Sequence, residues 1–261
     1  MREQVQQMAD RAIEDRDSKY NGQGAFIDAE CSSAIEEGLT EKNSHALFVN
    51  FDGLEKMSEK ERRKKLGDMD IVMTGFAGLN GSVFLACEKQ KELSRRYPVS
   101  FLEEAKKQER LLWQIPEAAP AGKSDGCSTY SFSEKGISGM YLLSKGGVFA
   151  GLWDMGRLAG VGLKIYGKKI PIKQETIEIC NFFDVNPYQM NSEGCALLLS
   201  ENGYRLKERL FERGIFSEVI GFTTQDNDRI VINGEERRFL QKHCEEALGL
   251  IAEADASPYY K

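Results

Sequence analysis

GISGMYLLSKGGVFAGLWDMGRLAGVGLKIYGKKIPIKQETIEICNFFDVNPYQMNSEGCALLLS, residues Gly136 to Ser200, is the stretch on which the fold reading turns. Its glycine pair, Gly146 and Gly147, opens a helix whose apolar residues Val148, Leu152, Met155 and Ala159 fall at i, i+4, i+7 and i+11 and so share one face. A strand follows from Val161 to Tyr166, then a Gly167-Lys168-Lys169 turn. Ile170-Pro171-Ile172 leads into a second helix with Ile177, Cys180 and Phe183 on its apolar side, and Asp184 to Pro187 ends it. A Ser192-Glu193-Gly194 turn then feeds an apolar strand, Ala196 to Leu199. Strands alternating with amphipathic helices predict an α/β (α+β) fold in which helices flank a sheet.

Upstream, Asp70 to Thr74 reads as a buried strand, followed by a turn with Gly75, Gly78 and Gly81 and a helix with Val83, Phe84 and Cys87 inward. Glycines ahead of a helix have two readings. They let backbone N–H groups approach a phosphate at the positive end of the helix dipole, or they only permit a tight turn. Ser100 to Gln114 is an amphipathic helix with Ser100 as N-cap and Phe101, Ala105 and Leu112 on one face. Ile115 to Ser128, rich in Pro, Ala, Gly and Ser, reads as a surface loop. Within it Gly122-Lys123-Ser124 has the tail of a phosphate-binding loop, but the first glycine of that motif falls on Glu117. Nearer the start, Met1 to Asp17 has helical spacing, and Gly24 to Cys31 and His45 to Phe51 have strand character. The charged run Lys56 to Lys65 is either an anion patch or a solvated helical face, and the interspersed Glu59 and Glu61 favour the face.

Downstream, Asn202 to Arg213 is a helix stopped by Gly214, and Phe216 to Phe222 is a strand. Asp226-Asn227-Asp228 turns into Arg229 to Ile232, and Asn233-Gly234 marks a tight hairpin. That acidic turn lacks the distal glutamate of a calcium loop. Leu240, Cys244, Leu248 and Ile251 have the spacing of a final helix.

The formal charge of −6 over 261 residues argues against nucleic acid as a partner. No apolar run approaches the ~20 residues that span a bilayer, so a cytoplasmic, membrane-free protein is expected. The cysteines, Cys31, Cys87, Cys127, Cys180, Cys195 and Cys244, include no C-x-x-C pair and read mostly as reduced core thiols. His45 and His243 alone supply no histidine-rich metal site, and none is expected.

The ordered set Gly147, Gly156, Gly160 and Gly162, then Ile170-Pro171-Ile172, then Ser192-Glu193-Gly194, is similar to the C-terminal domain of the aminoimidazole ribonucleotide synthase superfamily. In texture it most resembles the hydrogenase expression/formation proteins within that group. The resemblance covers roughly Gly67 to Leu240. It implies residues 1–66 as a short N-terminal segment, at most a remnant of the ATP-binding domain, and 67–261 as the related C-terminal domain. It also implies ATP and Mg as cofactors, a homodimer, and a protein partner in a maturation complex or as a separate N-terminal half. With the resemblance come a mixed, largely antiparallel sheet flanked by helices and a nucleotide- or phosphate-binding set of Gly75, Gly78, Gly81, Ser144, Lys145, Gly146, Gly147, Glu193 and Gly194.

At matched positions the sequence departs from the family. Leu79 and Asn80 replace an acidic residue and a histidine, Leu142 an aspartate and Phe222 a glutamate, while Ser144 and Lys145 stand where the family has Thr-Arg. Leucine neither binds metal nor accepts a proton, and lysine offers a point charge where arginine offers a fork. The C-terminal SPYYK lacks the cysteine that accepts a carbamoyl group in the maturation protein. Two further side chains read two ways: Glu193 faces a cleft or caps a turn, and Trp153 stacks on a base or fills core. Cys195 has no basic neighbour to make it nucleophilic. Three functions remain: a binding or accessory factor that has lost most catalytic groups, an ATP- or phosphate-dependent enzyme completed by a partner subunit, or a structural module.

Overall fold

The computed structural model describes residues 47–49, 57–116, 118–124, 127–132, 134–242 and 247–256, of which 47–49, 118–124, 127–132 and 252–256 are described by backbone alone. The strands are β1 (Leu47–Val49), β2 (Asp70–Thr74), β3 (Ala118–Ser124), β4 (Cys127–Phe132), β5 (Gly139–Leu142), β6 (Gly162–Tyr166), β7 (Ala196–Ser200), β8 (Ser217–Thr224), β9 (Arg229–Asn233) and β10 (Glu236–Phe239). The helices are α1 (Glu59–Leu66), α2 (Leu79–Glu88), α3 (Gln90–Leu93), α4 (Val99–Lys107), α5 (Gly147–Ala159), α6 (Gln174–Phe182), α7 (Gly203–Glu212) and α8 (Ala247–Ala256).

β7 is buried at every position and β2 at all but its first, so both faces of the sheet must be covered. Alternation along the strands divides the cover in two. Ile71, Met73, Leu197 and Leu199 face Val148, Leu152, Met155 and Ala159 of α5. Val72, Ala196 and Leu198 face Leu206 and Leu210 of α7 on the other side. A separate apolar cluster joins Leu85 of α2, Leu102 of α4, Ile179 of α6 and Ile251 of α8.

The eight strands run in the order β1-β5-β7-β2-β8-β6-β9-β10, and β3 with β4 forms a separate ribbon. In the large sheet β6 pairs in parallel with β9 and every other pairing is antiparallel. This is the mixed, mostly antiparallel, helix-flanked sheet expected.

α1 is solvated as expected from its glutamates, and its N-terminus is a capping box. Ser58 N donates to Glu61 Oε2 at 2.8 Å and Glu61 N donates to Ser58 Oγ at 3.4 Å. Its basic side chains do have a structural task. Arg62 donates to Leu158 O at 3.2 Å and Arg63 Nε to Gly160 O at 3.0 Å, placing two cations at the negative end of α5.

Four expectations change. Ser100 is not a cap: α4 begins at Val99 behind Pro98 and gives way to a 3-10 turn at Gln108. The Tyr97 ring stacks on Phe101 at 4.6 Å and Tyr97 OH donates to Glu178 O at 2.8 Å, which sets the entry of that helix. Residues read as a loop from Ile115 to Ser128 largely form the β3–β4 ribbon, with Gly122-Lys123-Ser124 in strand pairing. Phe84 and Cys87 are exposed and do not point inward, because α2 buries Leu79, Ser82, Val83, Leu85 and Ala86 instead. Leu240 belongs to no helix; it is buried after β10, and α8 starts at Ala247. The expected helix Met1 to Asp17 and strand Gly24 to Cys31 lie outside the described residues, as do Cys31, His45, His243 and Cys244.

Candidate functional site

Two glycine-bearing turns converge on one short segment, Pro187 to Gly194. The turn after β2 reaches it first: Gly78 N donates to Ser192 Oγ at 2.9 Å and Gly81 N to Asn191 O at 3.1 Å. The turn before α5 meets its other side, where Ser192 N donates to Ser144 O at 3.3 Å and Leu143 N to Cys195 O at 2.9 Å. A Cβ at Gly147 would lie 2.5 Å from Tyr188 O, and one at Gly78 would lie 2.8 Å from Pro187 O. Both positions have positive φ, +66° and +67°. Glycine is required here on two grounds, conformation and close approach.

The N–H groups of the first turn are therefore committed within the protein. Gly75 N donates to Phe216 O at 2.9 Å and Ala77 N to Pro171 O at 2.8 Å. The N-terminus of α5, like that of α2, starts on a left-handed glycine N-cap. Gly146, its N-cap, offers no side-chain acceptor, so the first-turn donors have no cap. Gly147 N donates to Ser144 O at 3.2 Å. Lys145 is exposed beside this end, and neither it nor the Ser144 hydroxyl has a partner among the described residues. Glu193 is exposed too; its own N–H donates to Asn191 Oδ1 at 3.0 Å in a local turn. Ser144 and Ser192 are hydrogen-bonded neighbours, so Lys145 and Glu193 each stand one residue from the same contact.

Trp113, absent from the sequence reading as a site residue, borders the same place. Its φ is +64°, rare for a bulky residue, and its side chain is 47 % exposed. Two flanking contacts hold that strain. Gln114 N donates to Gly194 O at 2.8 Å, and Gln114 Oε1 accepts from Phe216 N, also at 2.8 Å. A Cβ on Gly194, at φ +89°, would lie 2.8 Å from Trp113 N. No periodicity signals a left-handed tryptophan; the latch that creates it comes from residues far away in sequence.

Leu79, Asn80, Leu142 and Phe222 all make structural contacts. Leu79 is buried at the start of α2, and Asn80 Oδ1 accepts from Asn191 Nδ2 at 3.4 Å, tying α2 to the Pro187 to Gly194 segment. Leu142 packs partly buried on the α7 side of the sheet. Phe222 lies under Lys164 Nζ, 5.8 Å from the ring centroid. Burial pushes the Cys195 thiol up to about 12, so it stays protonated beside the site. Trp153 packs against the core and one face carries the Arg229 guanidinium at 4.6 Å. Among the described residues no group of three or more His, Cys, Asp or Glu is placed to hold a metal ion, and no helix is long and apolar enough to cross a membrane.

The fold is a mixed, mostly antiparallel sheet flanked by helices, and it is shared with solved hydrogenase maturation proteins. Among solved structures, the chain is similar to two of HypE from E. coli, a hydrogenase maturation protein. One has a TM-score of 0.52 at 15% identity over 76% of this chain and 55% of that one. The other has a TM-score of 0.50 at 14% identity over the same shares. In sequence it is similar to a hydrogenase expression/formation protein of Methanocaldococcus jannaschii, 29% identical over 100 residues, which is 37% of this chain and 30% of that protein. The chain thus spans about half the length of the E. coli protein and less of the archaeal one. No family model matches the chain.

Proposed function

We propose that this chain is a nucleotide- or phosphate-responsive accessory factor of hydrogenase maturation, with its anion contact at the N-terminus of α5. The observation that carries this reading is the uncapped α5 terminus flanked by an exposed Lys145 and the Ser144 hydroxyl, neither with a side-chain partner among the described residues. Backbone donors, the helix dipole and an ammonium group together favour a phosphate. The N–H groups of Gly75, Gly78 and Gly81 already bond within the protein, so those glycines position the site while Lys145, Ser144 and the Gly146-Gly147 end of α5 bind. Glu193 and Gly194 form the opposite rim, and Trp113 supplies an exposed ring face beside them. ATP with Mg would bring a phosphate chain and its own counter-ion, which suits a site whose described residues include no carboxylate cluster.

A partner-completed enzyme is the second reading. In it a partner subunit supplies the half-site that lies outside the 55% of the E. coli chain matched here. A homodimer in the cytoplasm fits either reading.

Thermal unfolding with and without millimolar Mg-ATP, ADP and phosphate tests the proposal. A ligand at ~100 times its dissociation constant raises stability by about 2.7 kcal/mol, a clear shift in midpoint. Lys145→Ala should abolish that shift while leaving the ligand-free midpoint unchanged, since Lys145 is exposed and makes no hydrogen bond or ion pair with a described residue. A ligand-free midpoint that drops with the shift retained would make Lys145 structural, and no shift with any ligand would remove the nucleotide from the proposal.

A further inference from the structure

On the sheet face opposite α5, helix α7 carries Arg205, Arg209 and Arg213 at i, i+4 and i+8, one stripe along a single side. They face the loop from Glu134 to Ser138, and between them lie two adjoining grooves of about 530 and 330 Å³ that share Gly136, Arg205 and Arg209. The larger lies within the size range of small-molecule sites.

The cations in this groove are unequally engaged. Glu134, 5 % exposed, is ion-paired by Arg213, and Arg209 donates to the carbonyl of Lys135, so both arginines hold the loop against α7. Arg205 has no partner for its guanidinium among the described residues; only its backbone N–H is used, donating to Asn202 Oδ1 at 3.0 Å in the helix cap. Lys135 lines the larger groove as well, while Glu201 stands at the end of the smaller one. Four cations against two carboxylates leave an excess of two positive charges in a chain whose total is −6. Guanidinium forks pair bidentately with carboxylate and phosphate alike.

We propose that the groove between α7 and residues 134–138 is a second anion site, taking a small molecule that bears two or more phosphate or carboxylate groups. Arg205 is the principal contact, Arg209 turns its remaining donors to the ligand, and the Arg213–Glu134 pair fixes the wall. This site is independent of Lys145 and the α5 terminus.

Titration calorimetry of the full chain at physiological salt, with pyrophosphate and citrate as separate probes, tests it. At least one probe should bind the wild type, and the one that binds names the anionic group. Arg205→Ala should weaken that probe at this groove by about tenfold or more, Arg205→Lys by less, and Lys145→Ala should leave the Arg205-dependent binding unchanged. The exposed Arg205 can be changed without touching core, and an unaltered thermal midpoint confirms that the variant is folded. Binding unchanged in Arg205→Ala, or lost instead in Lys145→Ala, would overturn the second site. So would the failure of both probes to bind wild type. Loss of the ATP-induced shift in Lys145→Ala with pyrophosphate binding intact would leave the two sites separate, as proposed.

Discussion

Gly147 shows what a single missing Cβ does here. At φ +66°, with Tyr188 O and Met190 O at 2.5 and 2.6 Å from the position a methyl would take, Gly147→Ala must strain the backbone and push away a neighbouring carbonyl. Strain and overpacking together should lower stability by about 3 kcal/mol in a denaturant titration. Gly214 is the control. It has φ +73° and nothing within 4 Å of the added atom, so Gly214→Ala should cost only about 1 kcal/mol. Equal losses would mean that conformation, not the Pro187–Gly194 contact, accounts for both. The buried thiols give a pH test at the same scale. Burial pushes Cys180 and Cys195 from 9.0 up to about 12. Below ~pH 9 folded and unfolded chains both hold these protons and the thiols add no pH dependence. Above it the unfolded chain releases them first, so stability falls toward pH 12, by at most about 1.4 kcal/mol per pH unit for each thiol. Denaturation midpoints at pH 8 and pH 10, with Cys180→Ala showing the shallower decline, check this; a decline no different in that variant would deny the thiol its part.

Between the elements, Ser192 joins the two converging turns. Fully buried, its hydroxyl accepts from Gly78 N at 2.9 Å and donates to Met190 O at 3.0 Å. Ser192→Ala leaves a buried N–H unpaired and should cost about 1 to 3 kcal/mol. Ser138→Ala, away from the junction, should change the midpoint little, and an equally mild Ser192→Ala would show that the turns hold together without the hydroxyl. What was legible from sequence follows the range of the interactions. The apolar face of α5, the helix begun by Asn202, which accepts from Arg205 N, and the β9–β10 hairpin with Gly234 at φ +69° depend on neighbours a few residues away, so spacing revealed them. The β3–β4 ribbon was hidden because AAPAGKS has neither alternation nor β-branched residues; its strand state is set by pairing with Cys127–Phe132. At the site, the need for glycine at 75, 78, 81 and 147 was readable. That their near neighbours are Cys195 and the Pro187–Asn191 segment, and that Trp113 is bent onto Gly194, depends on contacts across the whole sheet order, which no local pattern encodes.

For the whole molecule, the question is where the folding unit begins. A division at residues 66 and 67 assigns α1 to a separate segment, yet Leu66 is fully buried in the α5-side core and partly buried Met57 packs against it. Thr223 Oγ1 donates to Leu66 O at 2.6 Å, and Arg62 and Arg63 hold the end of α5. Two fragments decide between a dispensable and an integral α1, one starting at Met57 and one at Gly67. The first keeps every contact just named; both fragments lack β1, so the difference between their midpoints isolates α1. The second loses a fully buried leucine, an effect of about 2 to 5 kcal/mol by itself, and leaves Thr223, the terminal carbonyls of α5 and the space Leu66 filled to water. It should unfold at a clearly lower midpoint or fail to fold, since a domain's entire margin is only about 5 to 15 kcal/mol. Equal midpoints for the two fragments would place the boundary at Gly67 and make α1 a passenger on the sheet. A fall confined to the Gly67 fragment would place α1 inside the unit, because the core it caps then depends on it.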